Sequence, residues 1–389
     1  MEHENKGGNA EASGASAETN GGVAIDLVEL WLRAMAEGNA SDLILRAGRR
    51  ACCRVDGGIT FLKGEVPSGE ALVELMRPYI GERNMDMWMR TGHLDASVNH
   101  ETYGRYRLNG FRQLGEPAVV MRRVAEDAPD IKGLDLPAKH LERLVERKRG
   151  LVLVTGVAGS GKSTTLAGMI QHLNQTMPRH VITLEDPVEI LHKEDRCVIS
   201  QRELGTDFES FQGGLSEALR QSPDVILIGE MRDAETVAAA LDAAETGHLV
   251  LSTLHTVNAA RTLDRVLSFF PARQHAQICM RLSDNMAGIL SQRLVPRRGV
   301  PGMIPAVELL TSVPRVKDIL LEGDTVAVGR LLAKGGLDGL ISFNESLAHL
   351  VQAGFIEMET AMAASDRPEE LALELRGFSG GSKGRLRMA

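Results

Sequence analysis

The chain contains few of the residues that indicate secretion, metal binding or nucleic-acid recognition. It has four cysteines among 389 residues, and they form no Cys-x-x-Cys pair and no zinc-binding spacing. Buried or idle thiols of a reduced cytosolic protein are therefore the favoured interpretation. Aromatic residues make up 4% of the chain, the net charge is −8, and no long basic block occurs. A nucleic-acid partner is therefore not expected.

Long apolar runs are absent as well. No stretch approaches the ~18 to 20 consecutive apolar residues that a membrane-spanning helix needs. No apolar run follows a basic start at the N-terminus, as it would in a signal peptide. The composition is that of an ordinary soluble protein, with 43% hydrophobic and 25% charged residues. We therefore expect a cytosolic protein whose length suffices for two domains.

Composition and periodicity divide the chain into segments of different character. The first residues are rich in Gly, Ala, Asn, Glu and Ser and offer almost nothing apolar to bury. A stretch of short alternating strands and amphipathic helices follows, and later the pattern changes to continuous apolar strands that alternate with helices. The predicted segments are a disordered tail (1–22), a small α+β domain (23–124), a linker (125–136), an α/β domain that ends in short helices (137–376) and a flexible tail (377–389).

Individual elements can be predicted within both domains. Continuous apolar runs favour parallel strands of a sheet that is covered on both faces. In the second domain these strands are expected at Leu151–Thr155, His180–Leu184, Val225–Ile228, Leu249–Leu254 and Ile304–Leu309. In the first domain we expect helices at Ser68–Ile80 and Glu82–Thr91, and a hairpin of Thr102–Phe111 with Pro117–Val124.

The strongest motif follows the first of the apolar strands. Residues 156–163 read GVAGSGKS and fit G-x-x-x-x-G-K-[ST] at every fixed position, and a helical pattern begins inside the motif. Such a loop directs successive backbone N–H groups at phosphate oxygens, with the helix N-terminus behind them. Lys162 is expected at the β- and γ-phosphates of ATP, and Ser163 at Mg²⁺. The predicted nucleotide-binding residues are Gly156, Gly159, Ser160, Gly161, Lys162, Ser163 and Thr164.

Carboxylates follow two further apolar strands. Glu230 ends the strand Val225–Ile228 after a glycine, and we expect it to orient or deprotonate the attacking water. Glu185 ends another strand and is expected on the magnesium side, through water. Its neighbour Asp186 is interpreted as structural, in a turn held rigid by Pro187.

His255 ends a fourth apolar strand, Leu249–Leu254. Ligands of open α/β sheets bind outside the carboxyl ends of the strands. His255 is therefore expected in the same crevice, on the γ-phosphate side.

Four motifs in chain order resemble those of a known family. They are GVAGSGKST (156–164), ITLEDPVE (182–189), RQSPDVILIGEMRD (220–233) and AETGHLVLSTLHT (244–256), and SDLILRAG (41–48) and GRYRLNGFRQ (104–113) match in the first domain. Together they resemble the bacterial secretion ATPase superfamily of the type II and type IV systems, and within it the PilT/PilU-like pilus-retraction motors. The four boxes correspond to that family's Walker A, Asp box, Walker B and His box.

The resemblance implies a PAS-like N-terminal domain joined to a RecA-like ATPase domain, and a homo-hexameric ring. It implies ATP and Mg²⁺ bound between the two domains, with arginines of the first domain reaching the nucleotide, partly across the subunit boundary. The matching positions are Arg105, Arg107 and Arg122. Expected partners are an inner-membrane pilus platform protein and, as a further candidate, a second retraction ATPase. The expected location is cytoplasmic, peripheral at the inner membrane through the platform protein.

Three functions are compatible with these motifs. The leading one is an ATP-hydrolysing motor for type IV pilus retraction and twitching motility. Extension ATPases of the superfamily carry a four-cysteine zinc element that this chain lacks. The alternatives are an ATPase of a type IVB secretion or conjugation system, and a weakly hydrolysing nucleotide-binding accessory subunit of a ring. The PilT-like and PilU-like branches both stay open.

Overall fold

The computed structural model describes residues 27–55, 57–125 and 127–376. The tails predicted at 1–22 and 377–389 lie outside these residues. The described chain forms two compact units that divide between Arg123 and Val124. None of the described helices is both long enough and apolar enough to cross a membrane.

The first unit is an antiparallel sheet with two helices, α1 and α2. Its six strands lie in the order β3-β2-β1-β6-β5-β4. The bounds are α1 Leu27–Glu37, β1 Asp42–Arg46, β2 Arg50–Val55, β3 Gly58–Glu65, α2 Glu70–Thr91, β4 Leu94–His100, β5 Gly104–Gln113 and β6 Glu116–Arg123. The predicted hairpin is confirmed as β5 and β6.

Two features of the first unit differ from the sequence-based expectation or refine it. The two helices expected on either side of residue 81 form one element, α2, interrupted by the non-helical backbone of Gly81 at φ 75° and ψ 163°. Strand β4 was not expected, because its Asp, Ser and Asn residues are poor strand formers. It is specified instead by the alternating burial of Leu94, Ala96 and Val98.

The core of the first unit lies on one face of its sheet. Trp31 of α1, Trp88 of α2 and Tyr106 of β5 are almost completely buried there. A Cβ atom at Gly110 would lie 2.8 Å from the Trp88 ring. The glycine therefore lets the indole lie directly against the strand.

The second unit contains a mixed sheet of eight strands in the order β14-β13-β12-β7-β11-β10-β8-β9. Strands β7 to β12 are parallel where they pair, whereas β13 and β14 are antiparallel additions at one side. The bounds are β7 Gly150–Thr155, β8 His180–Glu185, β9 Val198–Glu203, β10 Val225–Ile228, β11 Leu249–Leu254, β12 Met286–Pro296, β13 Met303–Thr311 and β14 Leu340–Ile341. The five strands expected here are confirmed, but β13 is antiparallel to its neighbours instead of parallel, and β9, β12 and β14 are added.

Helices cover both faces of this sheet. On β7, Leu151 and Leu153 join one buried cluster, and Val152 and Val154 join the other. The helices are α3 Ala138–Val145, α4 Lys162–Thr176, α5 Phe211–Ala218, α6 Ala234–Glu245, α7 Ala259–Ser268, α8 His275–Asn285, α9 Pro314–Glu322, α10 Thr325–Lys334, α11 Phe343–Gln352, α12 Met358–Ala364 and α13 Pro368–Leu375. The expectation of a doubly covered sheet followed by short helices is confirmed.

The segment predicted as a linker, 125–136, is ordered over its second half. It contains a short 3-10 helix, Ile131–Leu134, whose Ile131 is completely buried. A Cβ atom at Gly168 of α4 would lie 2.9 Å from the Leu134 side chain. This part of the segment is therefore packed on the second unit instead of spanning open solvent.

Candidate nucleotide site

The carboxyl ends of four parallel strands meet at one edge of the second sheet. Strands β7, β11, β10 and β8 are neighbours in register, so their last residues lie side by side. The glycine-rich loop follows β7, His255 follows β11, and Glu230 comes two residues after β10. Glu185 is the last residue of β8. Four motifs far apart in sequence are thus brought to one edge, as the strand pattern predicts.

The loop after β7 has a backbone that requires glycine. Gly156, Gly159 and Gly161 have φ values of 151°, 76° and 89°, which side chains rarely tolerate. A Cβ atom at Gly156 would lie 2.3 Å from the Ser160 Oγ atom and 2.6 Å from the Gln292 carbonyl oxygen. Helix α4 begins at Lys162 without a side-chain cap on its N-terminus. Its first N–H groups are therefore available to an anion.

Lys162 is the buried cation of this loop. Its Nζ atom donates hydrogen bonds to the carbonyl oxygens of Gly156 and Val157, at 2.9 and 3.1 Å. The same atom lies 3.4 Å from Nδ1 of His255. Burial lowers the pKa of Lys162, while the charges of Glu230 and Glu189 oppose that shift. The ammonium group is thus held in place with little water around it.

His255 connects the lysine to the carboxylate of Glu230. Its Nε2 atom lies 3.5 Å from Oε1 of Glu230. Because an ammonium group can only donate, Nδ1 accepts from Lys162 and the proton of the neutral ring is on Nε2, facing Glu230. The structure therefore brings Lys162, His255 and Glu230, all predicted from the sequence, into one contiguous cluster.

Arg232 is a member of this cluster that sequence reasoning missed as a site residue. Its Nε atom donates to Oε2 of Glu230 at 2.8 Å, and its NH1 group reaches Oδ2 of Asp186 at 3.4 Å. It thereby ties the loop after β10 to the loop after β8. The sequence signal that could have indicated this role is its position two residues after Glu230, in the short segment before α6.

Gly229 explains why this site has no aspartate before Glu230. Its N–H donates to the carbonyl oxygen of Leu184 at 2.8 Å. A Cβ atom at this position would lie 3.3 Å from the same oxygen and 3.5 Å from the Cα atom of Glu185. A longer side chain would therefore crowd the end of β8.

Glu185 is engaged by its own neighbours. Its Oε1 atom accepts hydrogen bonds from the Thr183 hydroxyl at 2.7 Å and from the Gln201 amide at 3.2 Å. Burial raises the pKa of Glu185, although these hydrogen bonds oppose the shift. No contact joins Glu185 to Lys162, Glu230 or His255 among the described residues.

The three arginines expected to reach the nucleotide belong to the first unit, on the face of its sheet opposite the core. Arg122, Arg107 and Asp42 lie in register on neighbouring strands. Nε of Arg122 donates to Oδ1 of the buried Asp42 at 2.8 Å, whereas Arg107 is exposed and has no ion-pair partner in the described part of the chain. Arg105, on the same strand, is partly buried. The geometry thus distinguishes the three candidates without placing any of them at a ligand.

Two buried groups behind the loop were also missed. Gln292 of β12 donates from Nε2 to the Thr165 hydroxyl of α4 at 2.9 Å. Glu308 of β13 accepts the N–H of Ala259, the first residue of α7, at 2.7 Å. Burial raises the pKa of Glu308 to about 7. Neither residue lies in a recognisable motif, so only the pairing of β12 with β7 and β13 reveals their place.

Comparisons with known proteins assign the chain to a family. Residues 80–301 match the family described as type II/IV secretion system protein. The chain is 36% identical to the type IV pilus ATPase PilU of Pseudomonas aeruginosa, over 90% of this chain and 91% of the relative. The chain belongs to this family.

Two other secretion-family proteins show the same extent of similarity. The PilT retraction ATPase of Pseudomonas aeruginosa is 36% identical over 89% of this chain and 99% of its own length. A crystal structure of a pilus retraction motor PilT with bound ADP superposes with a TM-score of 0.82 at 41% identity, covering 90% of this chain and 99% of that one. The similarity therefore extends over both units of this chain.

The residues at the loop fit a nucleotide with Mg²⁺. Ser160 Oγ is buried and has no hydrogen-bond partner among the described residues, and Ser163 and Thr164 are exposed on the first turn of α4. The described residues contain no group of three or more His, Cys, Asp or Glu side chains that would cage a metal. The exposed hydroxyl of Ser163 would suit a magnesium ion that keeps water and phosphate ligands.

Replacing Lys162 by alanine tests the phosphate assignment. The variant loses the buried charge that faces the loop, so we expect affinity for a fluorescent ATP analogue to fall by at least ~100-fold. Lys334→Ala, an exposed lysine at the end of α10, is the matched control and should bind normally. Near-normal affinity of the Lys162 variant would refute the assignment.

Glu308 should make the second unit less stable as pH rises. Its pKa is about 7 in the folded protein against 4.5 as the ordinary value, so the folded state binds more protons between these pH values and its stability is lost across that window. The loss is roughly 3 kcal/mol. Glu308→Gln keeps the acceptor for Ala259 and should flatten this dependence in urea unfolding followed by helical circular dichroism.

Tryptophan fluorescence provides an internal control for that experiment. Both tryptophans, Trp31 and Trp88, belong to the first unit. Their unfolding signal should be the same in the wild type and in Glu308→Gln. An unchanged pH dependence of the circular dichroism transition in the variant would contradict the role of Glu308.

Proposed function

We propose that this secretion-family protein is an ATP-hydrolysing motor that powers retraction of a type IV pilus, as PilT- and PilU-like proteins do. The observation that carries the proposal is the similarity to pilus ATPases over about nine tenths of both chains. The loop, His255 and Glu230 supply the chemistry that such a motor needs. Identity does not choose between the branches, since it is 36% to both PilU and PilT of one organism.

In this proposal the two units are a PAS-like domain and a RecA-like ATPase domain. Six chains assemble into a ring, and the arginines of the first unit complete the nucleotide site. Arg107 is the best placed of the three, because Arg122 is already bound to Asp42 and Arg107 is exposed. The ring acts on the pilus through an inner-membrane platform protein. It is cytoplasmic, and this partner holds it at the inner membrane.

The loop residues bind and orient the triphosphate. N–H groups at the start of α4 and the Lys162 ammonium group attract the β- and γ-phosphates, and the low exposure of Lys162 strengthens that attraction. Ser163 would hold Mg²⁺, with Glu185 acting through water, and the ion would neutralise charge on the β- and γ-phosphate oxygens.

Glu230 would act on the attacking water. Its carboxylate accepts a hydrogen bond from the water and takes its proton as the oxygen bonds to the γ-phosphorus. The bond from that phosphorus to the β–γ bridging oxygen breaks, and ADP leaves with the electron pair. Arg232 and His255 hold the two oxygens of Glu230 from opposite sides, so the carboxylate has little orientational freedom.

Deletion of the gene followed by complementation tests the function. Loss of a retraction motor should leave retained or excess surface pili and impaired twitching, and the wild-type gene should restore both. Glu230→Gln should bind ATP with wild-type affinity yet fail to complement, because its turnover falls by orders of magnitude.

Three outcomes of that test have distinct meanings. Unchanged pili and motility with a lost secretion or conjugation phenotype would contradict retraction and favour the type IVB alternative. Complementation by a Glu230→Gln protein that retains most of its turnover would refute the role of Glu230. Complementation by a variant that hydrolyses no ATP would favour an accessory ring subunit.

A further inference from the structure

Arg293 lies where strand β12 passes between the nucleotide site and the C-terminal helices. Its guanidinium group donates to the carbonyl oxygen of Ala364 at 2.6 Å and to Oδ2 of Asp366 at 2.5 Å. It also reaches the carbonyl oxygen of Val257 at 3.4 Å, two residues after His255. One side chain thus contacts both the end of α12 and the loop that follows β11.

The surroundings of Arg293 fix its direction. The guanidinium carbon lies 4.0 Å from the centre of the Phe343 ring of α11, and the side chain is 19% exposed. A planar guanidinium stacked on a ring loses little freedom when it donates several hydrogen bonds. Arg293 is therefore a rigid bridge and not a solvated surface charge.

Glu308 holds the other side of the same loop. It lies diagonally from Arg293 on the paired strand β13, because Arg293 pairs with Ala306 and Ser291 pairs with Glu308. Its carboxylate accepts the first N–H of α7 at Ala259. The loop 255–258 is therefore held at its C-terminal end, by Arg293 at Val257 and by Glu308 at Ala259.

Strand β12 also contacts the end of β7, just before the glycine-rich loop, and helix α4. The hydroxyl of Thr155, the last residue of β7, donates to the hydroxyl of Ser291 at 2.9 Å, and Gln292 binds Thr165 of α4. Three consecutive residues of β12 thus contact the last residue of β7, helix α4 and the loop of His255.

We propose that Arg293 and Glu308 are positioning residues for His255, and that docking of the segment 364–366 on Arg293 sets the rate of ATP hydrolysis. This rests on the proposed ATPase function and deepens it. A contact of the ring or of a partner that pulls this segment away from Arg293 would release the loop 255–258 and separate His255 from Glu230. The C-terminal helices would then keep the site active while they are docked and slow it when they leave.

The chain offers a matched pair of variants. Asp366→Ala removes the acid that pairs with Arg293, which also contacts the His255 loop. Glu357→Ala removes an exposed acid of the same C-terminal region that pairs with Arg298 at 2.9 Å. Arg298 makes no contact with residues 255–258 among the described residues. The two acids are similarly exposed, at 53% for Asp366 and 57% for Glu357, so each variant removes one charge from the surface of the same region.

Steady-state ATPase kinetics of the full-length protein separate the two. Asp366→Ala should lower kcat by about tenfold with KM for ATP unchanged, because it misplaces His255 and Glu230 without touching the phosphate loop. Arg293→Lys, which keeps the charge but not the geometry of several simultaneous hydrogen bonds, should show the same split. Glu357→Ala should retain wild-type kcat and KM.

Hydrogen exchange gives a readout that does not require activity. Amides of residues 255–262 should exchange faster in Asp366→Ala and not in Glu357→Ala, while those of residues 162–170 in α4 stay as in the wild type. A wild-type kcat with wild-type exchange at 255–262 in Asp366→Ala would overturn the proposal. If the wild type showed no ATPase activity the proposed function would fail, and the exchange comparison would still decide the coupling.

Discussion

The buried ammonium group of Lys162 is the constraint on which the candidate site depends. A cation with so little water around it must be surrounded by acceptors, and the fold supplies two loop carbonyls, the His255 ring and, beyond it, Glu230. The two carbonyls follow β7, His255 follows β11 and Glu230 follows β10. The parallel register of β7, β11 and β10 therefore brings together the acceptors that offset the cost of burying the Lys162 ammonium group. The ammonium group in turn fixes the orientation and the tautomer of His255. A γ-phosphate would satisfy the same charge better than these neutral acceptors do.

Beyond this cluster, side chains of strand β12 make several polar contacts of the second unit. This strand is parallel to β7 on one side and antiparallel to β13 on the other, and its side chains contact the end of β7, helix α4 and the end of α12. Its buried residues Ser291 and Gln292 bind Thr155 of β7 and Thr165 of α4, and Arg293 binds Asp366. Hydrolysis and the arrangement of the C-terminal helices can therefore influence each other without a long-range pathway, because they share adjacent residues.

Much of this could be predicted from the sequence, for a physical reason. Lys162, Glu230 and His255 follow continuous apolar runs, and such runs become parallel strands whose carboxyl ends meet. Arg232, Gln292 and Glu308 could not be predicted, because their roles arise from register between distant strands and from side-chain direction. Strand β4 was not predicted because its hydrophobic residues are interrupted by poor strand formers. The roles of Glu185 and of the three arginines stay predictions, since no described hydrogen bond or ion pair joins Glu185 to the Lys162 cluster and the arginines belong to the other unit.

The central claim is that Lys162, His255 and Glu230 act as one unit and not as separate residues. A double-mutant cycle of His255→Ala and Glu230→Gln, measured as single-turnover ATP hydrolysis, tests it most directly. If the unit exists, the double variant should be about as slow as the slower single variant, because either change already disables the same step. If the two slowdowns multiply, the residues contribute independently, and the hydrogen-bonded cluster is not the functional unit of this site.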